Sequence, residues 1–172
     1  MNYKKFTLYT VILTIALNFI LIIFNLMINP YKIFSTPEFK FNKITNHLIS
    51  DRISKFYSAK RYNPNVLMIG SSRIGAIHPK YLKKYTNGKV YNLALGGSHI
   101  SEQYYYLKYF VEDYDINTVV MGLDFQSFQE LKDAHYKKTH FDIDRFNTGY
   151  NNDYIDGIVG KRVLVDSLNT LI

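Results

Sequence analysis

Hydrophobic and polar positions divide the chain into three stretches. From Phe6 to Ile28 no residue is charged, and only Thr7, Tyr9, Thr10, Thr14, Asn18 and Asn25 interrupt the apolar run. A helix of that length crosses a hydrocarbon core of about 30 Å, so the run predicts a single transmembrane span. Asn29-Pro30 ends it. Residues 29–45, with Pro37 and scattered Lys and Phe, then read as a linker along the membrane surface. Beyond the linker the pattern changes to that of a folded domain. Asn46 is placed to cap a helix whose apolar residues Ile49, Ile53, Phe56 and Tyr57 share one face at a 3.6-residue period, a face suited to packing on a sheet.

Three short apolar runs follow, each closed by glycine: Val66 to Ile69 before Gly70, Lys89 to Leu95 before Gly96-Gly97, and Thr118 to Met121 before Gly122. Continuous rather than alternating hydrophobicity is the mark of strands covered on both faces. Pro79 to Tyr85 predicts a short helix with proline in its first turn. A longer helix is predicted from about Ser98 to Asp115, with Ile100, Tyr104, Leu107, Val111 and Tyr114 as its buried stripe and Ser101, Lys108, Glu112 and Asp115 turned to water. A last amphipathic helix is expected from about Asp153 to Leu171, interrupted by Gly157 and Gly160. The βαβαβ order implies an α/β fold: an N-terminal transmembrane helix followed by a small three-layer, flavodoxin-like parallel-sheet domain. The expected division is 1–28 as cytoplasmic stub and anchor, 29–45 as linker and 46–172 as the α/β domain.

Composition narrows the chemistry. A chain of 172 residues holds one domain beside an anchor, and with no cysteine it offers no disulfide, zinc ribbon or thiolate nucleophile. The net charge of +7 is spread over short groups such as Lys83-Lys84 and Lys137-Lys138, a solvated surface rather than a nucleic-acid footprint. The expected partner is the lipid bilayer. The exit Asn25 to Pro30 lacks the small residues of a signal-peptide cleavage site, so the span is expected to stay in place. Lys4 and Lys5 precede the span and favour a cytoplasmic amino terminus, although Lys32, Lys40 and Lys43 follow closely. The domain is therefore expected on the extracytoplasmic side of the cell membrane.

Ligands of parallel sheets bind at the carboxyl ends of the strands, where the glycines stand. Gly70-Ser71-Ser72-Arg73 is a small turn that presents hydroxyls and backbone amides, suited either to an anion or merely to capping a helix. The spacing from Gly70 to Gly75 is that of a phosphate loop, but Ala76-Ile77 stand where Lys and Ser or Thr are required. Arg73 suits either a substrate carboxylate or phosphate or an acidic loop residue. His99 suits either the same pocket or a helix cap. His78, His135 and His140 have no metal-ligand spacing, Asp142-Ile-Asp144 alone carries no argument, and no metal or cofactor is expected. The run Tyr104-Tyr105-Tyr106 fits the helix's buried stripe and its edges better than a carbohydrate platform.

Over residues 65–128 the chain resembles the SGNH, or GDSL-like, hydrolase superfamily, in particular its membrane-anchored relatives linked to acyl transfer on envelope polymers. Gly70-Ser71-Ser72 matches the first block, with Ser71 in place of the family's aspartate, so the resemblance makes Ser72 the nucleophile. Asn92-Leu-Ala-Leu-Gly-Gly97 matches the second block through Asn92 and Gly97, with Ala94 at the first glycine, and implies that the Gly97 amide serves the oxyanion hole. Gly122-Leu-Asp124-Phe occupies the third block, with Asp124 where the family has an asparagine donor. Arg73, Asn92 and His99 are then the substrate-binding candidates. The family's Asp-x-x-His has no counterpart, since Asp133-Ala-His135 has a different spacing. This implies either a shortened member or a reading frame holding only the first part of the domain. The resemblance implies O-acyl transfer or ester hydrolysis on envelope polysaccharide, without a cofactor. The alternative is a catalytically incomplete module that binds the polymer or a polytopic membrane acyltransferase.

Overall fold

The computed structural model describes residues 3–37, 39, 42, 47–129, 141–146 and 152–171. The chain forms two compact units, residues 1–49 with 153–172 and residues 50–152. Asn46, Asp133, His135 and His140 of the sequence reading lie outside the described residues.

The first unit is built on α1, Tyr3–Ile28, a helix long and apolar enough to cross a membrane. Four of its polar side chains are satisfied within the helix. The hydroxyls of Thr7, Thr10 and Thr14 donate to the carbonyls four residues earlier, and the Asn18 amide donates to Thr14. Apolar surroundings require this internal pairing. The helix stops at Asn29, which takes up a left-handed φ of 48° and donates its side-chain amide to the carbonyl of Phe34. The next stretch is not a free linker. Tyr31 and Ile33 are buried, and the Asn42 amide donates back to the carbonyls of Met27 and Pro37.

The C-terminal segment, which the sequence groups with the sheet, packs in this first unit. It is two helices, not one: α5, Asp153–Asp156, and α6, Lys161–Leu171. They are parted by Gly157, where a Cβ would lie 2.7 Å from Ile33, and by Gly160 at φ +134°. Asn25 donates to the carbonyl of Ile158 at 2.9 Å and accepts from Ser167 at 3.0 Å. Tyr31 donates to the Asp166 carboxylate at 2.6 Å. Burial, then that carboxylate, pushes the Tyr31 phenol above its ordinary range.

The second unit is a mixed α/β domain around a three-stranded parallel sheet. After α2, His47–Tyr62, come β1, Val66–Ile69, the single turn α3, Ser72–Gly75, and a 3-10 helix, Pro79–Lys84. Then follow β2, Val90–Asn92, α4, Ile100–Asp113, β3, Thr118–Met121, and 3-10 turns at Phe125–Phe128 and Ile143–Phe146. The strand order is β2-β1-β3, with Val66 opposite Val90 and Thr118. Central β1 is buried throughout. Val66 and Met68 pack with Val90, Val120, Ile74 and Leu82. Strand alternation turns Leu67 and its neighbour Tyr91 to the opposite face, where Tyr91 donates to the carbonyl of Lys55 in α2. Helical segments thus lie on both sides of β1 and β2, whereas edge strand β3, expected to be covered on both faces, leaves Val119 39% exposed.

Two expectations change. The second strand pairs regularly only over Val90–Asn92, although Leu93 and Leu95 still donate to Met68 and Gly70 of the β1 edge. The buried face of α4 is also not the apolar stripe. Tyr104 is 55% and Val111 50% exposed, while Glu102, Gln103, Tyr106 and Phe110 are inside. Aromatic packing sets that face: the Phe56 ring of α2 meets Tyr106 and Phe110 edge-on at centroid distances of 6.0 and 5.9 Å. Glu102 goes inside because Arg52 of α2 holds it through Nε and, at 3.0 Å, through Nη2. Tyr106 donates to the Arg52 carbonyl, and burial pushes its phenol up to about 12.

Candidate functional site

The strand-end segments converge on a polar cavity of about 260 Å³, lined among others by Ser72, Arg73, Gly97, His99, Asp124 and Gln126. Its first wall is the turn after β1. Gly70 there has φ +154°, and a Cβ on it would meet the Gly122 carbonyl at 2.9 Å. At Gly122 a Cβ would lie 2.0 Å from Ile74 Cγ1. Both glycines are therefore needed so that Ile74 of α3 can sit over the strand ends, which fixes the direction of Ser72 at the start of α3.

Ser71 is buried and caps α3, accepting weakly from the Arg73 amide at 3.4 Å. Its hydroxyl donates to Asp124. The other Asp124 oxygen pairs with Arg73 at 2.9 Å. Both carboxylate oxygens are thus engaged as acceptors, and Asp124 does not supply the donor that the SGNH pattern has at this position. Arg73 takes the acidic loop partner foreseen for it, yet its side chain remains 76% exposed at the cavity mouth. Asp124 holds the two ends of the turn together across 53 residues of sequence.

Ser72 is exposed, and among the described residues its hydroxyl has no hydrogen-bond partner. Its backbone amide and that of Gly97, at φ +60°, donate to no described carbonyl. Ser72 and Gly97 line one cavity, and among the described residues these amides and this hydroxyl are unpartnered, a set suited to an oxyanion or another negatively charged oxygen.

His99 lines the cavity but is chemically committed. It caps α4: Nδ1 accepts from the Ser101 amide at 3.3 Å, and the Glu102 carboxylate accepts from the His99 amide at 3.4 Å. With Nδ1 accepting, the proton sits on Nε2, which donates to the Gln129 carbonyl. Neither nitrogen is left to take a proton from Ser72.

Asn92 does not line the cavity. Its amide donates to the carbonyls of Ile74 at 3.0 Å and Ile77 at 2.9 Å, and its oxygen accepts from Ala94. It clamps α3 to β2 and so positions Ser72 instead of touching substrate.

The sequence reading missed Ser98, Ser127, Gln126 and Gln129. Ser98 donates to the Gly70 carbonyl at 3.1 Å, and buried Gln103 bridges Ser98 Oγ at 3.0 Å and Ser127 Oγ at 3.4 Å. The signal available for two of them was position, since Gln126 and Ser127 directly follow the block Gly122-Leu-Asp124-Phe.

No family model, curated protein or solved structure matches this chain.

Proposed function

We propose that the chain is a single-pass, membrane-anchored SGNH-like protein whose strand-end cavity handles an acyl group, by O-acyl transfer or ester hydrolysis on an envelope polysaccharide. What carries the reading is one observation: Ser72 and Gly97 line the same cavity, and among the described residues the Ser72 hydroxyl and the amides of both are unpartnered. Ser72 Oγ attacks the acyl carbonyl, and the two amides hold the oxyanion. The Ser72 proton passes to a base that the described residues do not identify. Collapse of the tetrahedral adduct expels the donor's leaving group, which takes up that proton, and transfer of the acyl group from Ser72 to a sugar hydroxyl, or to water, then releases Ser72. Lys4 and Lys5 ahead of the span support placing the domain on the extracytoplasmic side. The test is hydrolysis of a chromogenic acetyl ester by the full chain in lipid nanodiscs. Turnover is expected for the wild type and absent in Ser72→Ala, and equal turnover by both would exclude Ser72.

A second reading is favoured by the commitment of His99 and Asp124 to structural partners. In it the chain is a catalytically incomplete module that binds the polymer, or a polytopic acyltransferase, through the same cavity. It predicts no turnover by folded protein, and co-purification of a polytopic membrane protein that is lost when residues 6–28 are exchanged for an unrelated span.

A further inference from the structure

Helix α6 is inverted relative to an ordinary surface helix. Its inward stripe is mostly polar: Asp166, Ser167 and Thr170 are 6%, 0% and 6% exposed, joined only by Val163. Its outward stripe is apolar, with Val165, Leu168 and Leu171 at 44%, 48% and 43% exposure and Leu164 beside them. At 100° per residue those four positions fall within an arc of about 120°, the width of a face that seeks an apolar environment. Two of the inward groups are satisfied by the anchor and its exit, Ser167 donating to Asn25 and Tyr31 to Asp166, while Thr170 donates to the Asp166 carbonyl within α6. The inversion is therefore built, and the outward face is left for a separate environment.

The depth of that face identifies the environment. Counting from Phe6, where the charge-free run begins, a rise of 1.5 Å per residue reaches about 30 Å near Asn25, the far edge of the hydrocarbon core. Asn25 is the residue to which α6 is tied. Ile155 and Val159, on either side of the Asn25 partner Ile158, are also exposed, at 53% and 57%, and α6 opens with Lys161, a cation suited to lipid headgroups, and with Arg162, which pairs with Asp166 at 3.7 Å.

We infer that α6 lies in the membrane interface with its Val165–Leu168–Leu171 face among the acyl chains, a second membrane contact fastened to the spanning helix through Asn25. This rests on α1 being a membrane span, and the test separates the two claims. The chain contains no tryptophan, so a single introduced Trp reports its own surroundings. The full chain carrying Leu168→Trp, Val165→Trp or Leu17→Trp is reconstituted in phosphatidylcholine vesicles containing some phosphatidylglycerol, with lipids brominated near the headgroup or near the chain end. The α6 variants are expected to lose more than half of their fluorescence with headgroup-proximal bromine and to resist aqueous acrylamide, while Leu17→Trp responds to chain-end bromine. Unquenched α6 variants beside a quenched Leu17→Trp would overturn the inference and leave the span standing, including the case where a blue-shifted spectrum shows the face covered by a second copy or another protein. An unquenched Leu17→Trp would overturn the span and the inference with it.

Discussion

Replacing Arg52 by methionine tests how the fold holds its site. Glu102 is fully buried, and its carboxylate is held by Arg52 at two atoms and by the His99 amide at a long 3.4 Å. The same guanidinium reaches the Gly96 carbonyl at 3.3 Å, beside the Gly97 amide of the proposed oxyanion site. Arg52→Met leaves the packing of the side-chain stem but strands a buried charge, a change that costs about 3–5 kcal/mol. A domain stable by about 5–15 kcal/mol loses a large part of its margin to such a change. The double variant Arg52→Met/Glu102→Gln removes both charges of the pair and keeps an acceptor for the His99 cap. It is expected to recover to within about 2 kcal/mol of the wild type. Pulse proteolysis of the full chain in nanodiscs across a urea series reads both values. A single variant that costs less than about 1 kcal/mol, or a double variant no better than the single, would refute the assignment of this pair as the clamp of α2 on α4.

Alkaline pH and the strand-end glycines give two more tests. Burial raises the phenols of Tyr91 and Tyr106 from 10.0 to about 12, so above pH 10 the unfolded chain releases protons that the folded one retains, and stability falls as pH rises from 10 toward 12. At about 1.4 kcal/mol per pH unit each contributes roughly 3 kcal/mol; tyrosinate absorbance followed with far-ultraviolet dichroism should show these two titrating only together with unfolding, and their ionisation in folded protein would contradict the burial argument. Gly122→Ala forces a Cβ into Ile74 and should destabilise by about 1–3 kcal/mol, with partial recovery in Gly122→Ala/Ile74→Ala, as read by the same urea series; no recovery would mean that Ile74 is not the obstacle.

The strands were legible because a doubly covered strand must be apolar at every position, as Val66 to Ile69 is. The two inward helix faces were not. In α4 the periodicity points to Tyr104 and Val111, yet the chain buries Glu102 and Gln103, whose partners Arg52 and Ser127 lie 50 and 24 residues away. In α6 the same happens with Asp166 and Ser167, paired to Tyr31 and Asn25. A hydrophobic pattern assumes that polar residues face water, and it fails wherever a distant side chain satisfies them inside. The site was legible to the same limit. Ser72, Arg73, Gly97, His99 and Asp124 do line one cavity, but the tie of Ser71 to Asp124, the engagement of both His99 nitrogens and the clamp made by Asn92 depend on neighbours that local sequence does not reveal.

The most direct measurement of the central claim is covalent labelling by a fluorophosphonate, which reacts with activated serines. The full chain in nanodiscs, with Ser72→Ala beside it, is treated and the modified residue located by mass spectrometry. The account predicts one labelled site in the wild type, at Ser72, lost in Ser72→Ala. Absence of label at Ser72 in protein whose urea transition is intact would contradict a nucleophilic Ser72 and leave the cavity as a binding site.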